Sequence, residues 1–347
     1  MLVIRKHRIL LLIFLILALV VAFRGKTRDT INYIYVFENI NSLNLHSISD
    51  FYIESGMEIG YGYLSFFSSL FTQDYKLVFF IISFSILFSI YKISTYLKIN
   101  SLILFFVYIS SYYFFMQQFM QIRQGFATAL VFYGTLLLFE NKYLRSFLLF
   151  AIACSFHQST FAFVIFVIGY IFTKKLFEKY KSNLFISVAV FSVVFLICKS
   201  VLLVIPSYFI RLAAYSDSDF SEVLSPFRLT SLRYYFLFIF FSFYFSFYFK
   251  SDLYEKNSKN FNSFLIFLLI SYAVGLGVRV GFNDFAILST RLSEFFLFSE
   301  IFLTSFIFSA NRNNLLFLIA FVFYLILQFL IMFNQFDYVL VDYFKVI

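Results

Sequence analysis

Residues 146–172 read SFLLFAIACSFHQSTFAFVIFVIGYIF, a long apolar run interrupted once, by HQS at residues 157–159. About twenty consecutive apolar residues are enough to cross a bilayer as one helix. The run therefore has two interpretations: one long helix with a buried histidine, or two short helices that meet at 157–159. The choice determines the topology, because the basic loops on either side of the run lie on opposite faces in the first case and on one face in the second.

The composition of the whole chain is that of a helical membrane protein. Of its 347 residues 62% are apolar and 13% are charged, and the mean hydropathy is +0.89. A soluble domain is nearer half apolar and a quarter charged. Other apolar runs that predict spanning helices are 9–23, 75–91, 101–118, 120–139, 184–203, 231–249, 261–279, 289–309 and 315–334. No cleavage site follows the N-terminal apolar run, so a retained first helix is predicted. Cys154 and Cys198 lie within apolar runs and are expected to be buried as small hydrophobic residues.

Basic residues decide between the two interpretations, because cytoplasmic loops collect lysine and arginine. The basic clusters are Arg5/Lys6/Arg8, Lys92/Lys98, Lys142/Arg145, Lys174/Lys175/Lys179/Lys181, Lys250/Lys256/Lys259 and Arg312. All of them face the cytoplasm only if 146–172 forms two short helices and 59–72 lies in the interface instead of spanning. This arrangement predicts an all-α, polytopic transmembrane helical bundle of about eleven spans.

Residues 1–347 are accordingly predicted to form a single integral membrane domain in the cell inner (cytoplasmic) membrane, with the N-terminus in the cytoplasm. Two long loops, 24–74 and 204–230, are predicted to be periplasmic. Loops of this length are commonly functional.

Arginine and lysine are distributed differently on this topology. Eleven of the 15 lysines fall inside, whereas eight of the 12 arginines fall at or near the outer face. These arginines are Arg24, Arg28, Arg123, Arg211, Arg228, Arg233, Arg279 and Arg291. Guanidinium groups bind phosphate bidentately and keep their charge in a partly dry site, so the pattern predicts an outward-facing pocket for a phosphorylated ligand. The alternative is pairing with acidic residues of the outer loops, as for Arg24 and Arg28 beside Asp29.

Four short patterns concentrate polar residues near the outer face. They are EIGY at 58–61, QIRQGFA at 121–127, HQS at 157–159 and RLSEF at 291–295. Each has a structural alternative: Arg123 as a snorkelling anchor, His157 as a structural residue, and Arg291 paired with Glu294 three positions on. Glu300 is a further functional candidate, because a carboxylate within the membrane is expensive to keep without a role.

In their order and spacing these patterns resemble the EpsG-like polysaccharide polymerases, relatives of the Wzy-type O-antigen polymerases. Members typically carry a Glu-Pro-Gly-Tyr-like segment, an Arg-Gln-x-x-Ala segment, a His-x-Ser, and a late Arg followed four positions on by an aromatic residue. Here these are 58–61, 123–127, 157–159, and Arg291 with Phe295, so the resemblance extends over residues 29–300. Ile59 stands where the family usually has proline.

The resemblance implies a membrane glycosyltransferase of polysaccharide and lipopolysaccharide biosynthesis. Such polymerases transfer a growing glycan from one undecaprenyl diphosphate to a repeat unit carried by another, at the periplasmic face. Cations are then needed to stabilise the charge of the departing diphosphate, and a base is needed to take the proton of the attacking hydroxyl. The expected substrate-binding residues are Arg123, Gln124, Arg291, Arg211 and Arg279, and the expected bases are His157, Glu58 and Glu294.

We expect no cofactor and no metal, since the sequence has no metal-ligand spacing and no P-loop. The expected partners are the undecaprenyl-diphosphate-linked glycan, the lipid bilayer and a chain-length regulator, and no nucleic acid. Two other classes stay open. A lipid-linked oligosaccharide flippase would need polar residues through both halves of the bundle and commonly internal repeats, whereas an O-antigen ligase or an acyltransferase would share the chemistry of the outer arginines.

Overall fold

The computed structural model describes residues 2–27, 29–179, 184–204 and 229–345, and this part of the chain is helical with no strand. The helices are α1 (Leu2–Ala22), α2 (Thr30–Glu38), α3 (Ile48–Ser55), α4 (Ile59–Ser69), α5 (Lys76–Tyr96), α6 (Ser101–Ile109), α7 (Tyr112–Phe115), a π-helical turn (Met116–Met120), α8 (Ile122–Phe139), α9 (Tyr143–Phe156), α10 (Thr160–Lys179), α11 (Leu184–Val204), α12 (Leu229–Tyr248), α13 (Asp252–Glu255), α14 (Lys259–Gly281), α15 (Ala286–Leu297), α16 (Ser299–Ala310) and α17 (Leu315–Tyr343). The prediction of an all-α fold is confirmed.

Within the described residues, five helices are long and apolar enough to cross a membrane, or six if a bent pair is one span. The five are Lys76–Tyr96, Ile122–Phe139, Lys259–Gly281, Ala286–Ala310 and Leu315–Asn334, and the bent pair is Ser101–Ile109 with Tyr112–Met120. Shorter apolar stretches lie in α1, α9 and α11. The chain is therefore a multi-pass membrane protein, while the number of eleven spans stays a prediction.

The outer surface of α17 shows why these helices require a bilayer. Leu316 is 75% exposed and Phe323 is 64% exposed, and most of the large apolar side chains of this helix are similarly uncovered. Leaving such a continuous apolar surface in water would be strongly unfavourable. Hydrocarbon is the environment in which this face is stable.

Short polar side chains set the starts of several apolar helices. Asn100 Oδ1 accepts a hydrogen bond from Leu102 N at 3.0 Å, and Asn314 Oδ1 accepts one from Leu316 N at 3.0 Å. Ser258 Oγ does the same for Phe261 N at 3.3 Å. The first amides of a helix have no intrahelical acceptor, so these N-caps fix where α6, α14 and α17 begin.

The predicted span over 101–118 corresponds to a bent pair of helices. α6 ends at Ile109, and the next helical piece, Tyr112–Met120, is inclined to it by 69°. Ser111 Oγ accepts from Phe114 N at 3.3 Å, which starts a new helix in place of continuing the old one. At the far end Gln121 N donates to Met116 O at 2.7 Å, closing the π-helical turn.

The interruption at 157–159 does separate two helices. α9 ends at Phe156 and α10 begins at Thr160, and the His157 backbone between them is extended, with φ −157° and ψ 123°. Segment 59–72 contains only the 11-residue α4, which is too short to span. The predicted loop 24–74 is mostly helical, as α2, α3 and α4 lie in it. Of the predicted loop 204–230, residues 205–228 lie outside the described residues.

The chain divides into two compact units. The first comprises Met1–Val164 and Thr304–Ile347, and α8 is its most thoroughly buried spanning helix. The second comprises Ile165–Leu303, and nearly every residue of α14 is buried there. Cys154 is half-buried in the first unit, Cys198 is buried in the second, and both are free thiols. A single membrane domain over 1–347 stays a prediction.

Candidate functional site

Arg123 lies in the first turn of α8, directly after the π-helical turn. A cation at a helix N-terminus opposes the helix dipole, so this position is unfavourable without a nearby anion. Glu58 supplies it, because its Oε2 forms an ion pair with Arg123 Nη1 and both side chains are mostly buried. A snorkelling arginine would instead extend its head group towards water.

Glu58 precedes the first residue of α4, yet its side chain does not cap that helix. The carboxylate turns away to Arg123 through Oε2, and its Oε1 accepts a hydrogen bond from Gln158 N at 3.4 Å. Three of the four sequence patterns, 58–61, 121–127 and 157–159, thus meet at one carboxylate. We call Glu58, Arg123 and residues 157–159 the Glu58 cluster.

Gly60 is what allows α4 to approach the end of α9. A Cβ at this position would lie 2.6 Å from Phe156 Cδ2 and 2.7 Å from the Ser155 carbonyl oxygen. Both distances are well inside van der Waals contact, and one of the two atoms belongs to the backbone. Only glycine fits here, and the glycine of the EIGY pattern therefore has a packing reason.

The His157 ring is oriented by its own turn. Its Nδ1 accepts a hydrogen bond from Ser159 N at 3.3 Å, and the side chain is half-buried. When Nδ1 accepts, the proton of a neutral imidazole is on Nε2. The ring therefore presents an Nε2–H donor, and the lone pair on Nδ1 is occupied by the turn.

Two tyrosines adjoin the Glu58 cluster. The rings of Tyr33 and Tyr61 are 5.2 Å apart, and the Tyr61 hydroxyl donates to the Tyr33 carbonyl oxygen at 3.0 Å. The Arg123 guanidinium carbon lies 5.7 Å from the Tyr33 ring centre. Burial raises the pKa of the Tyr33 phenol, partly offset by Arg123, and burial also raises the pKa of Tyr61. Both phenols thus keep their protons at neutral pH and can donate hydrogen bonds.

A second arginine of the first unit, Arg24, follows the end of α1. It is 2% exposed, and its guanidinium carbon lies 4.1 Å from the Phe79 ring centre. Within the described residues, none of its guanidinium nitrogens has a hydrogen-bond partner. Burial lowers its pKa to about 10, so it stays charged at neutral pH. Among the described residues Arg24 thus has no hydrogen-bonded carboxylate partner, Asp29 included, and Arg28 lies outside the described residues.

The second unit contains a separate buried ion pair. Arg233 Nη2 lies 2.7 Å from Glu300 Oε2, and Glu300 is fully buried. The guanidinium carbons of Arg233 and Arg279 lie 4.5 Å and 4.7 Å from the centre of the Tyr234 ring. Glu300 is a functional candidate because it is a carboxylate within a predicted membrane helix, and in the structure it has a cation as partner. The sequence predicts Arg233 near the outer face, but nothing in its spacing from Glu300 indicates this pair.

The remaining candidate residues are distributed over both units. Gln124 is buried in α8 of the first unit. In the second unit Arg279 lies in the last turn of α14, Arg291 is exposed on α15, and Glu294 is buried on the same helix. Arg211 lies outside the described residues.

The structure thus brings Glu58, Arg123 and the turn at 157–159 together in the first unit, which also contains Gln124, and places Arg279, Arg291 and Glu294 in the second unit. Among the described residues, no three His, Cys, Asp or Glu side chains are grouped in a way that could hold a metal ion.

Fold and site together define a polytopic helical membrane protein that buries arginine–carboxylate pairs among its helices. The model of the EpsG family matches residues 7–344, so the chain belongs to the EpsG family, and the predicted resemblance to this family is confirmed. The chain is also 29% identical over 106 residues to the amylovoran biosynthesis protein AmsC of Erwinia amylovora. That match covers 30% of this chain and 26% of the relative. No solved structure matches the chain.

Proposed function

We propose that this protein is a polysaccharide polymerase that joins undecaprenyl-diphosphate-linked repeat units at the periplasmic face of the inner membrane. The observation that carries the proposal is the Glu58 cluster, in which three separate family patterns meet around one arginine–carboxylate pair. Membership of the EpsG family supports a role in polysaccharide biosynthesis. The relative AmsC is an amylovoran biosynthesis protein, which agrees with that role.

The reaction needs a cation more than it needs an acid. A hydroxyl of the acceptor repeat unit attacks the anomeric carbon of the donor glycan, and the bond from that carbon to the diphosphate oxygen breaks. The diphosphate leaves with the electron pair, while the hydroxyl proton passes to a base. Guanidinium donors aimed at the departing oxygens stabilise the developing charge in a partly dry site. Arg123 has this role in our proposal, with Gln124, Arg291, Arg279 and Arg211 as further binding residues.

Glu58 is the first candidate for the base that takes the hydroxyl proton, with Glu294 as the alternative, whereas His157, also expected as a base, has its Nδ1 lone pair engaged by Ser159 N. Glu58 also holds Arg123 in place, since Oε2 is in the ion pair while Oε1 faces Gln158 N. His157 presents Nε2–H, so it is arranged as a hydrogen-bond donor in its neutral form. In this proposal His157 donates a hydrogen bond to the leaving oxygen, and the Glu58 carboxylate lies beside the attacking hydroxyl.

A chain-length regulator is the proposed protein partner.

A deletion strain of a lipopolysaccharide-producing host tests this function. If the protein is the polymerase, repeat units are still made, exported and ligated, and the surface lipopolysaccharide carries a single unit without a ladder of longer chains. Loss of a flippase would leave no unit on the surface, and loss of a ligase would leave bare core with polymer still on the lipid carrier. A silver-stained gel separates these patterns, and a full ladder in the deletion strain would contradict the proposal.

A further inference from the structure

Hydrogen bonds and packing of the neighbouring residues hold the backbone of Arg24 in place, without hydrogen bonds from its guanidinium group in the described part of the chain. Thr27 Oγ1 donates to the Phe119 carbonyl oxygen at 2.8 Å, which fixes the turn after α1 on the π-helical turn. Gly25 packs against the last turn of α17, where a Cβ would meet the backbone oxygens of Asp342, Tyr343 and Lys345. The framework therefore fixes the position of Arg24 independently of anything that its charge binds.

The charge of Arg24 is unfavourable in the unliganded protein. A buried cation without hydrogen bonds loses its hydration and gains little in return, and an apolar side chain of similar size is often more stable at such a position. The Phe79 ring, at 4.1 Å, supplies a cation–π contact on one side of the guanidinium only. The planar N–H donors have no acceptor in the described part of the chain. A buried cation in this condition needs an anion.

Arg24 and Arg123 belong to one electrostatic environment. The charges of both act on the phenols of Tyr33 and Tyr61, which lie in direct contact with each other. Arg123 is balanced by Glu58, whereas Arg24 has no such counterion in the described residues. The environment therefore carries one uncompensated positive charge on a fork of N–H donors, and such a fork matches the geometry of phosphate oxygens.

We propose that Arg24 is a substrate-binding residue that holds a phosphoryl group of the lipid-linked diphosphate, deeper in the protein than Arg123. This assignment rests on the proposed function, because it takes the diphosphate carrier as the anion. When the carrier is bound, its phosphoryl oxygens accept from the Arg24 fork and compensate the buried charge. Arg24 thereby recognises the part of the substrate that every repeat unit shares.

The purified full chain, in nanodiscs, is titrated with undecaprenyl diphosphate while its thermal unfolding is followed. Wild type should melt at a higher temperature with the ligand than without it. Arg24→Met should melt without ligand at the same temperature as wild type or above it, because an unpaired buried charge has been removed. Its ligand-induced rise should be lost, with affinity weaker by about tenfold or more.

Arg233→Met is the matched control, since Arg233 is a buried arginine that does have a carboxylate partner. Its removal takes the ion-pair cation away from the fully buried Glu300, so this variant should melt below wild type without ligand. The melting temperatures of the two variants without ligand thus distinguish an arginine that stabilises the fold from one whose charge is compensated only when a ligand binds.

An Arg24→Met variant that keeps the full ligand-induced rise would overturn the assignment. If Arg24→Met does not fold, Arg24→Lys decides: it retains the charge without the fork, and we expect binding weaker by about tenfold, whereas wild-type affinity would overturn the proposal. If phosphatidylglycerol produces the same Arg24-dependent rise in melting temperature, the site binds bulk lipid. If pyrophosphate binds with the same affinity as undecaprenyl diphosphate, the site binds a soluble anion. Either result would also overturn the proposal.

This measurement and the deletion test fail independently. The titration requires no polymerisation, and the gel requires no affinity. A lost ladder with an unchanged Arg24→Met titration would leave the polymerase standing and remove Arg24 from its site. The reverse result would show a diphosphate-lipid site in a protein with another activity.

Discussion

Arg123 engages the Glu58 cluster through Nη1, while its Nε has no hydrogen-bond partner in the described residues. Arg123→Lys would keep a positive charge beside Glu58 but remove the planar fork. If Arg123 binds the diphosphate through that fork, polymer formation should fall by about tenfold or more. The measurement is complementation of the deletion strain at matched expression, read as the ladder on a gel.

A snorkelling or purely electrostatic role makes the opposite prediction for the same variant, since a lysine ammonium can satisfy both. Full activity of Arg123→Lys would therefore remove Arg123 from the binding site. Lys142, whose ammonium forms an exposed pair with Glu140 at 2.8 Å, offers a control: Lys142→Arg should leave the ladder unchanged.

Two substitutions can distinguish the roles of the two ring nitrogens of His157. Asparagine places an oxygen near the position of Nδ1 and can accept from Ser159 N, whereas glutamine reaches towards the position of Nε2. If the functional group is Nε2–H, His157→Gln should retain more activity than His157→Asn. If the histidine is only an anchor for the turn at 157–159, Asn should be as active as wild type and Gln should melt at a lower temperature. Activity and melting temperature of both variants decide between these roles.

At the scale of elements, the contact between α4 and the end of α9 brings the separate patterns together. Gly60→Ala would force α4 away from Ser155 and Phe156, so Glu58 would lose its contact with Gln158 N. We expect a loss of stability of about 1–3 kcal/mol, as for other overpacked sites, together with loss of the polymer ladder. Thermal unfolding and complementation measure the two effects.

Gly169 is the matched control for Gly60, because it also lies in a helix but has no atom within 4 Å of an added Cβ. Gly169→Ala should keep activity and be as stable as wild type or more stable by up to about 1 kcal/mol, from helix propensity. Equal behaviour of the two alanine variants would contradict the packing argument.

Ile59, which stands where the family usually has proline, is the first residue of α4. The first position of a helix accepts proline and other residues alike, so this replacement does not require a different backbone.

At the scale of the molecule, the sidedness of the chain can be tested with two cysteines. Both Gln158 and Lys175 are exposed, so a thiol at either position is accessible from its own side. In a background without Cys154 and Cys198, Gln158→Cys should react with an impermeant thiol reagent applied from the periplasm. Lys175→Cys should react only after the membrane is permeabilised. Labelling of position 175 from outside would contradict the predicted topology of about eleven spans.

The sequence was a good guide to features that depend on neighbouring residues. Membrane transfer free energy adds up residue by residue along an apolar run, so the helical class, several spans and the break at 157–159 could be predicted without coordinates. The bend at 110–111 could not, since it arises from a local competition in which Ser111 Oγ captures an amide of the next helix. Hydropathy is insensitive to such a hydrogen bond.

The choice of partners belonged to the tertiary structure. Glu58 and Arg123 are 65 positions apart, and Arg233 and Glu300 are 67 apart, and nothing in the spacing selects these pairs among the other arginines and carboxylates. The same holds for Arg24, which the sequence placed beside Asp29, whereas in the described part of the fold its guanidinium contacts an aromatic ring and makes no hydrogen bond. Apolar length determines that a helix enters the membrane, whereas close packing, as at Gly60, determines which buried charges meet and which, such as Arg24, have no hydrogen bond among the described residues.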